Sequence, residues 1–68
     1  MKKKNVLTKP EISIIQLAAN GLDNDEIGRK LFISKHTVKA HIAAILKKMN
    51  CNNRTQAVYV ATKNKWIE

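Results

Sequence analysis

The run HTVKAHIAAILKKM, residues 36–49, places Val38, Ile42, Ile45 and Met49 at three- and four-residue steps, the spacing of one apolar face on an α-helix. The opposite face carries alanine at positions 40, 43 and 44, with His36, Lys39, Lys47 and Lys48 at its edges. Solvated helix faces normally bear long charged side chains, so a flat centre with cationic edges asks for a partner. Upstream, Ile12, Ile14, Ile15, Ala18 and Ala19 fall on one broad arc of a first helix. Ile27 and Leu31 mark a shorter second helix, and Ala57, Val58 and Ala61 point inward from a fourth. No run alternates as a half-buried strand would, and there is no internal repeat.

Capping residues set the boundaries. Thr8 caps the first helix with Glu11 as its capping-box partner, Pro10 fits the first turn, and Gly21 supplies a left-handed stop. Asp23 and Glu26 repeat the box for the second helix. The segment FIS allows only a tight turn before Ser34 caps the third helix, residues 35–49, while Ile33 and Val38 form a hydrophobic staple. Gly28 stands where the second helix faces the third and lets the two approach closely. Asn50 takes the C-terminal turn of the third helix, and Asn53 with Gln56 offers a weaker box for the fourth. The predicted fold class is all-α, four helices in one small domain.

Charge adds a partner to this picture. The net charge is +8, four of the five acids lie in the first 26 residues, and between Ile27 and Ile67 nine Lys/Arg residues meet no acid. Such a block makes a positive field suited to nucleic acid or, less well, to an anionic membrane surface. The alanine face lacks the Trp, Phe and Leu that a membrane-lying helix buries. No run approaches the roughly 20 apolar residues that span a bilayer, and MKKKNVLTKP has no signal-peptide core. Cys51 has no partner for a disulfide, and with His36 and His41 it makes no metal cluster. The expectation is a cytoplasmic protein without metal or cofactor. Lacking a nucleophile–base pair, a carboxylate dyad or a glycine-rich phosphate loop, it is not expected to be an enzyme.

Two helices joined by a three- to four-residue turn, the second longer and basic, form a helix-turn-helix, which lays its second helix in the major groove. A groove about 12 Å wide wants small side chains where the helix nears the bases and long cations where it meets phosphate. Alanine also has the best helix propensity, which is the plainer reason for its presence.

Residues 7–58, LTKPEISIIQLAANGLDNDEIGRKLFISKHTVKAHIAAILKKMNCNNRTQAV, carry the pattern LT..E, then G..N.EI...L.IS..TVK.H...I..K, then NRTQA. In this the chain resembles the LuxR-type helix-turn-helix domain of bacterial transcription factors, including the effector domains of NarL/FixJ response regulators. The resemblance implies double-stranded DNA as partner, a third helix that reads the major groove, and a fourth that forms the contact of a homodimer on DNA. RNA polymerase is a further candidate partner. Lys39 matches a position that reaches a base edge or its phosphate, and Thr37 a phosphate-contacting hydroxyl. Ala40 and Ala43 match groove-facing positions where other members often carry larger or charged side chains, which leaves direct readout thin. Phosphate contact is then expected from Lys35, His36, Lys47, Arg54 and Thr55, and Ser34 is counted with the DNA-binding residues. Lys35 and His36 lie beside the free amides of a helix start, themselves a phosphate site.

Other features keep two readings. Tyr59, Thr62 and Trp66 share a stripe on the last helix, either a dimer seam or ordinary surface and core closure. His41 is expected to be a partly buried packing residue, and Cys51 an inert loop thiol. Residues 1–6 form a basic arm before a DNA-binding domain at 7–68, which fits a free-standing regulator and the effector domain of a receiver-bearing one equally. The rival function is a module that uses the same fold to hold a partner protein such as RNA polymerase or another regulator.

Overall fold

The orphan N–H groups at a helix start need acceptors, and the residues that supply them here are the capping residues of the sequence. In the computed structural model, which describes residues 4–68, the helices are α1 (Lys9–Ala19), α2 (Asn24–Leu31), α3 (Lys35–Met49) and α4 (Arg54–Lys63), with no strand among the described residues. The first half of the expected basic arm, residues 1–3, lies outside the described residues. At α1 the Thr8 N–H donates to Glu11 Oε1 at 2.9 Å and the Glu11 N–H to Thr8 Oγ1 at 3.4 Å. At α2 the Asp23 N–H donates to Glu26 Oε1 at 2.9 Å and the Glu26 N–H to Asp23 Oδ1 at 2.8 Å. Ser34 Oγ accepts from the Thr37 N–H at 3.0 Å, and Asn53 Oδ1 from the Gln56 N–H at 2.8 Å. The expected box at α4 stays open: Gln56 Oε1 accepts from the Asn52 N–H at 2.7 Å, one residue before the cap.

All four helices end in one way. A residue with positive φ, in turn Gly21, Phe32, Asn50 and Lys65, is followed by an apolar residue whose N–H reaches back five positions. These bonds join Leu22 to Leu17 O at 3.2 Å, and Ile33 to Gly28 O, Cys51 to Leu46 O and Trp66 to Ala61 O at 2.9 Å each. This is the Schellman pattern, and its usual hydrophobic contact is present each time, because Leu22, Ile33, Cys51 and Trp66 all pack against the core. Gly21 and Asn50 are residue types that tolerate the left-handed turn. Phe32 and Lys65 are not.

The core is built on Ile14, Ile15, Ile27, Val38 and Ile45, closed by Ala57 and Ala61 of α4 and by Leu7 and Ile67 outside the helices. α3 packs on the other three helices. Val58, expected inside, is half-buried, and alanines form the buried face of α4. A Cβ on Gly28 would lie 2.5 Å from the Ile33 carbonyl oxygen and 3.3 Å from the Lys35 nitrogen. The close approach expected there is therefore made with the backbone of the turn that leads into α3.

Polar ties also cross between elements. Glu11, 6% exposed, accepts from Lys48 Nζ at 2.8 Å and joins α1 to the end of α3. Burial raises the Glu11 pKa, but hydrogen bonds from Lys48 and Thr8, with the charge of Lys48, outweigh it and hold the carboxyl below its ordinary value. Arg54 donates from Nη2 to Leu22 O at 2.6 Å and from Nη1 to Asn24 Oδ1, clamping the start of α4 to the start of α2. Gln16 donates from Nε2 to Glu68 O at 3.2 Å and accepts from the Glu68 N–H at 2.8 Å, so one amide side chain holds that backbone at two points.

Candidate nucleic-acid interface

Burial of Val38, Ile42 and Ile45 fixes how α3 is turned. At about 100° per residue, the line opposite them runs through His36, Ala40, Ala43 and Lys47. Lys35 and Lys39 stand on one flank, and Thr37, Ala44 and Lys48 on the other. Every one of these residues is exposed. The alanines thus form a flat strip in solvent, bounded by cations, with none of the described residues covering it.

The two flanks differ. Among the described residues the ion pairs are Arg29–Asp25 at 2.7 Å and Lys48–Glu11 at 2.8 Å, so Lys35, Lys39 and Lys47 have no acidic partner. Lys48, which the sequence sets on the cationic edge, is drawn toward α1. On that flank Thr37 Oγ1 and Ser34 Oγ lie 2.9 Å apart, two exposed hydroxyls joined at the first turn of α3. The first turn carries no acid to oppose the positive end of the helix dipole.

The remaining sequence candidates fall elsewhere. Arg54 and Thr55 lie on the first turn of α4; Thr55 is exposed, whereas the Arg54 guanidinium is half-buried and already makes its two internal bonds. Tyr59 is 63% exposed with Lys63 Nζ 5.9 Å from its ring centre, and the Thr62 hydroxyl donates to Val58 O at 2.8 Å. Trp66 does not continue their stripe. It lies beyond α4, after the left-handed Lys65, half-buried against the core. A helical period carried past Lys63 misplaces Trp66, because lysine gives no sign of a left-handed stop.

His41 is half-buried as expected, and Cys51 is half-buried with Sγ donating to Met49 O at 3.6 Å. Among the described residues no group of His, Cys, Asp and Glu side chains could hold a metal, and no helix is long and apolar enough to cross a membrane. Sequence reasoning missed the cross-element ties and one surface feature: Phe32 is 94% exposed. The inward face of Glu11 could have been suspected from its place among isoleucines; nothing local marks the partners of Arg54 or Gln16.

Comparison with known proteins supplies context for this surface. The sequence profile of "Bacterial regulatory proteins, luxR family" matches residues 5–61. The chain is 46% identical over 67 residues to the transcriptional regulatory protein DegU of Brevibacillus brevis, covering 98% of this chain and 28% of that protein. It is 50% identical over 58 residues to the transcriptional regulatory protein LiaR of Bacillus subtilis, covering 85% and 28% respectively. Among solved structures it is similar to the transcription factor GerE, with a TM-score of 0.90 at 28% identity over 96% of this chain and 97% of the other. It is also similar to the response regulator ChrA of a heme-sensing two-component system, with a TM-score of 0.83 at 39% identity over 94% and 32%. The chain thus spans little more than a quarter of the DegU and LiaR sequences it matches.

Proposed function

The chain belongs to the luxR family of bacterial regulatory proteins, and from that premise we propose that it is the DNA-binding domain of a transcriptional regulator, docking the outer face of α3 in the major groove. The observation that carries this is the exposed line His36–Ala40–Ala43–Lys47 flanked by Lys35 and Lys39, none of them paired with an acid among the described residues. Ala40 and Ala43 let the helix sit deep, and their methyls suit the thymine methyl. Lys39, on the flank, reaches a base edge. Lys35, His36, Lys47 and the joined hydroxyls of Ser34 and Thr37 hold phosphates, as does Thr55 from α4. Arg54 serves that set by fixing the start of α4 against α2.

Likeness to DegU, LiaR and ChrA supports a place as the effector part of a longer response regulator working in the cytoplasm. One recognition helix covers few base pairs, so the domain works as a homodimer on paired half-sites, with Tyr59 and Thr62 at the seam. The basic arm at 1–6 adds general affinity ahead of the domain at 7–68.

The test is a salt titration of binding to duplexes recovered by selection from a random pool. Neutralising about four to six phosphates gives a log–log slope of roughly −4 to −5 per domain, whereas a partner-protein module would respond weakly. Lys39→Ala should flatten preference at one or two base positions, and Lys47→Ala should weaken all sequences alike. A flat salt response, with Ala43→Lys leaving the preferred sequence untouched, would sink the groove-docking account.

A further inference from the structure

Phe32 puts a large apolar side chain where the fold asks only for a left-handed turn. Its side chain is 94% exposed, so it contributes nothing to the core, and its backbone is left-handed, with φ 60 and ψ 39. A residue with a Cβ is disfavoured there, and glycine or asparagine would end α2 better. The turn itself serves the fold by seating Ile33 in the core, but a phenylalanine side chain at it serves nothing inside the molecule, which points outward, to something the ring touches in use.

Its neighbourhood says what that is. Phe32 precedes Ser34, the cap of α3, by two residues and Lys35 by three, so it borders the phosphate-facing turn of α3. Lys30 and Lys35, exposed on either side, have no acidic partner among the described residues. A polyanion finds a lysine two residues before the phenylalanine and another three residues after it, with no acid between them. The chemistry beside a phosphate that accepts an apolar ring is the deoxyribose.

We propose that Phe32 belongs to the DNA interface, its ring packed on a backbone deoxyribose at the edge of the groove that α3 enters. This rests on the DNA-binding reading above. The contact is apolar and displaces no counterion, so it adds affinity for every sequence without changing the salt dependence.

The experiment compares the protein with Phe32→Gly and Phe32→Asn on two probes, a duplex recovered by selection and a random-sequence duplex of equal length. Both variants relieve the left-handed turn, so both should melt higher, by about 2–5 °C. Both should nevertheless bind each duplex about 5- to 10-fold more weakly, as expected for losing part of an aromatic burial, with the salt slope unchanged. A more stable variant that binds less well cannot be explained as a folding defect. Unchanged affinity would overturn the proposal, as would a shallower salt slope or a loss confined to the selected duplex. Unchanged DNA binding with lost transcription activation would give Phe32 to a protein partner and also overturn it. If the unsubstituted protein binds neither duplex, the DNA reading has failed, an outcome distinct from all of these.

Discussion

Helices α1 and α2 begin with a glutamate folded back over the cap, while α3 and α4 begin with no acid in the first turn. All four solve the same local problem of unsatisfied amides with a side-chain oxygen at the cap. The first two go further and place a carboxylate on the positive end of the dipole; Glu11 is also buried against Lys48. The last two leave that end uncompensated, and at α3 it lies among Lys35, His36 and the Ser34–Thr37 hydroxyls. Helix starts in the N-terminal half are closed for stability. The start of α3 is left open, at a small cost in stability, and in the function proposed above that opening faces a phosphate.

Removing the closed type should cost most. Glu11→Ala deletes a capping box and the tie to Lys48, for about 2 kcal/mol once the half-exposed lysine is discounted for screening, or roughly 8–15 °C in melting temperature. Glu26→Ala, losing an exposed box alone, should cost about half as much. Equal losses in thermal melts would mean that the burial of Glu11 contributes nothing.

Converting the open type is the sharper test. Thr37→Glu completes a box with Ser34 and should raise the melting temperature by about 2–5 °C, while setting a carboxylate where phosphate is expected and weakening DNA binding about tenfold or more. Binding that survives this change would remove α3 from the phosphate-facing set.

Acid supplies a milder perturbation. The Glu11 pKa is lowered by folding, so its contribution is fully present above the ordinary glutamate value and is lost as pH falls through the lower, folded one. Lys48→Met removes a bond that lowers it, and the decline in melting temperature below about pH 4.5 should become shallower. An unchanged acid profile would show that the pair carries no linkage. The smallest effect is expected from Gln56→Glu, which puts a charge at the start of α4. Stability should rise by about 0.3–0.5 kcal/mol and affinity fall no more than two- to threefold. A drop as large as that of Thr37→Glu would move the phosphate-facing end from α3 to α4.

What could be read from the chain beforehand follows the range of the interaction. Thr8 with Glu11, Asp23 with Glu26, Ser34 and Asn53 act within one turn, and their helices start where the residues say. The outward strip of α3 was legible for the same reason, since Val38, Ile42 and Ile45 fix its rotation. The bonds of Arg54 span 30 and 32 residues and those of Gln16 to Glu68 span 52. They exist only once the helices have crossed, so no local pattern announces them. Phe32 and Lys65 mark a further limit: a left-handed stop on a residue that does not favour it is imposed by the apolar residue that follows, Ile33 or Trp66, seeking the core.

Those four helix ends also govern how the chain meets proteases. Leu22, Ile33, Cys51 and Trp66 each hold their turn by a backbone bond and by a seat in the core, so none of these connections has slack to extend into a protease cleft. An endoprotease needs several residues of extended chain, and here that length becomes available only when the core itself opens. Cleavage in the turns should therefore track global unfolding and follow the equilibrium fraction of open molecules rather than any local breathing. A single residue inserted beside one of these left-handed stops would break the five-residue bond or unseat the apolar residue that follows it, so added length there should lower stability.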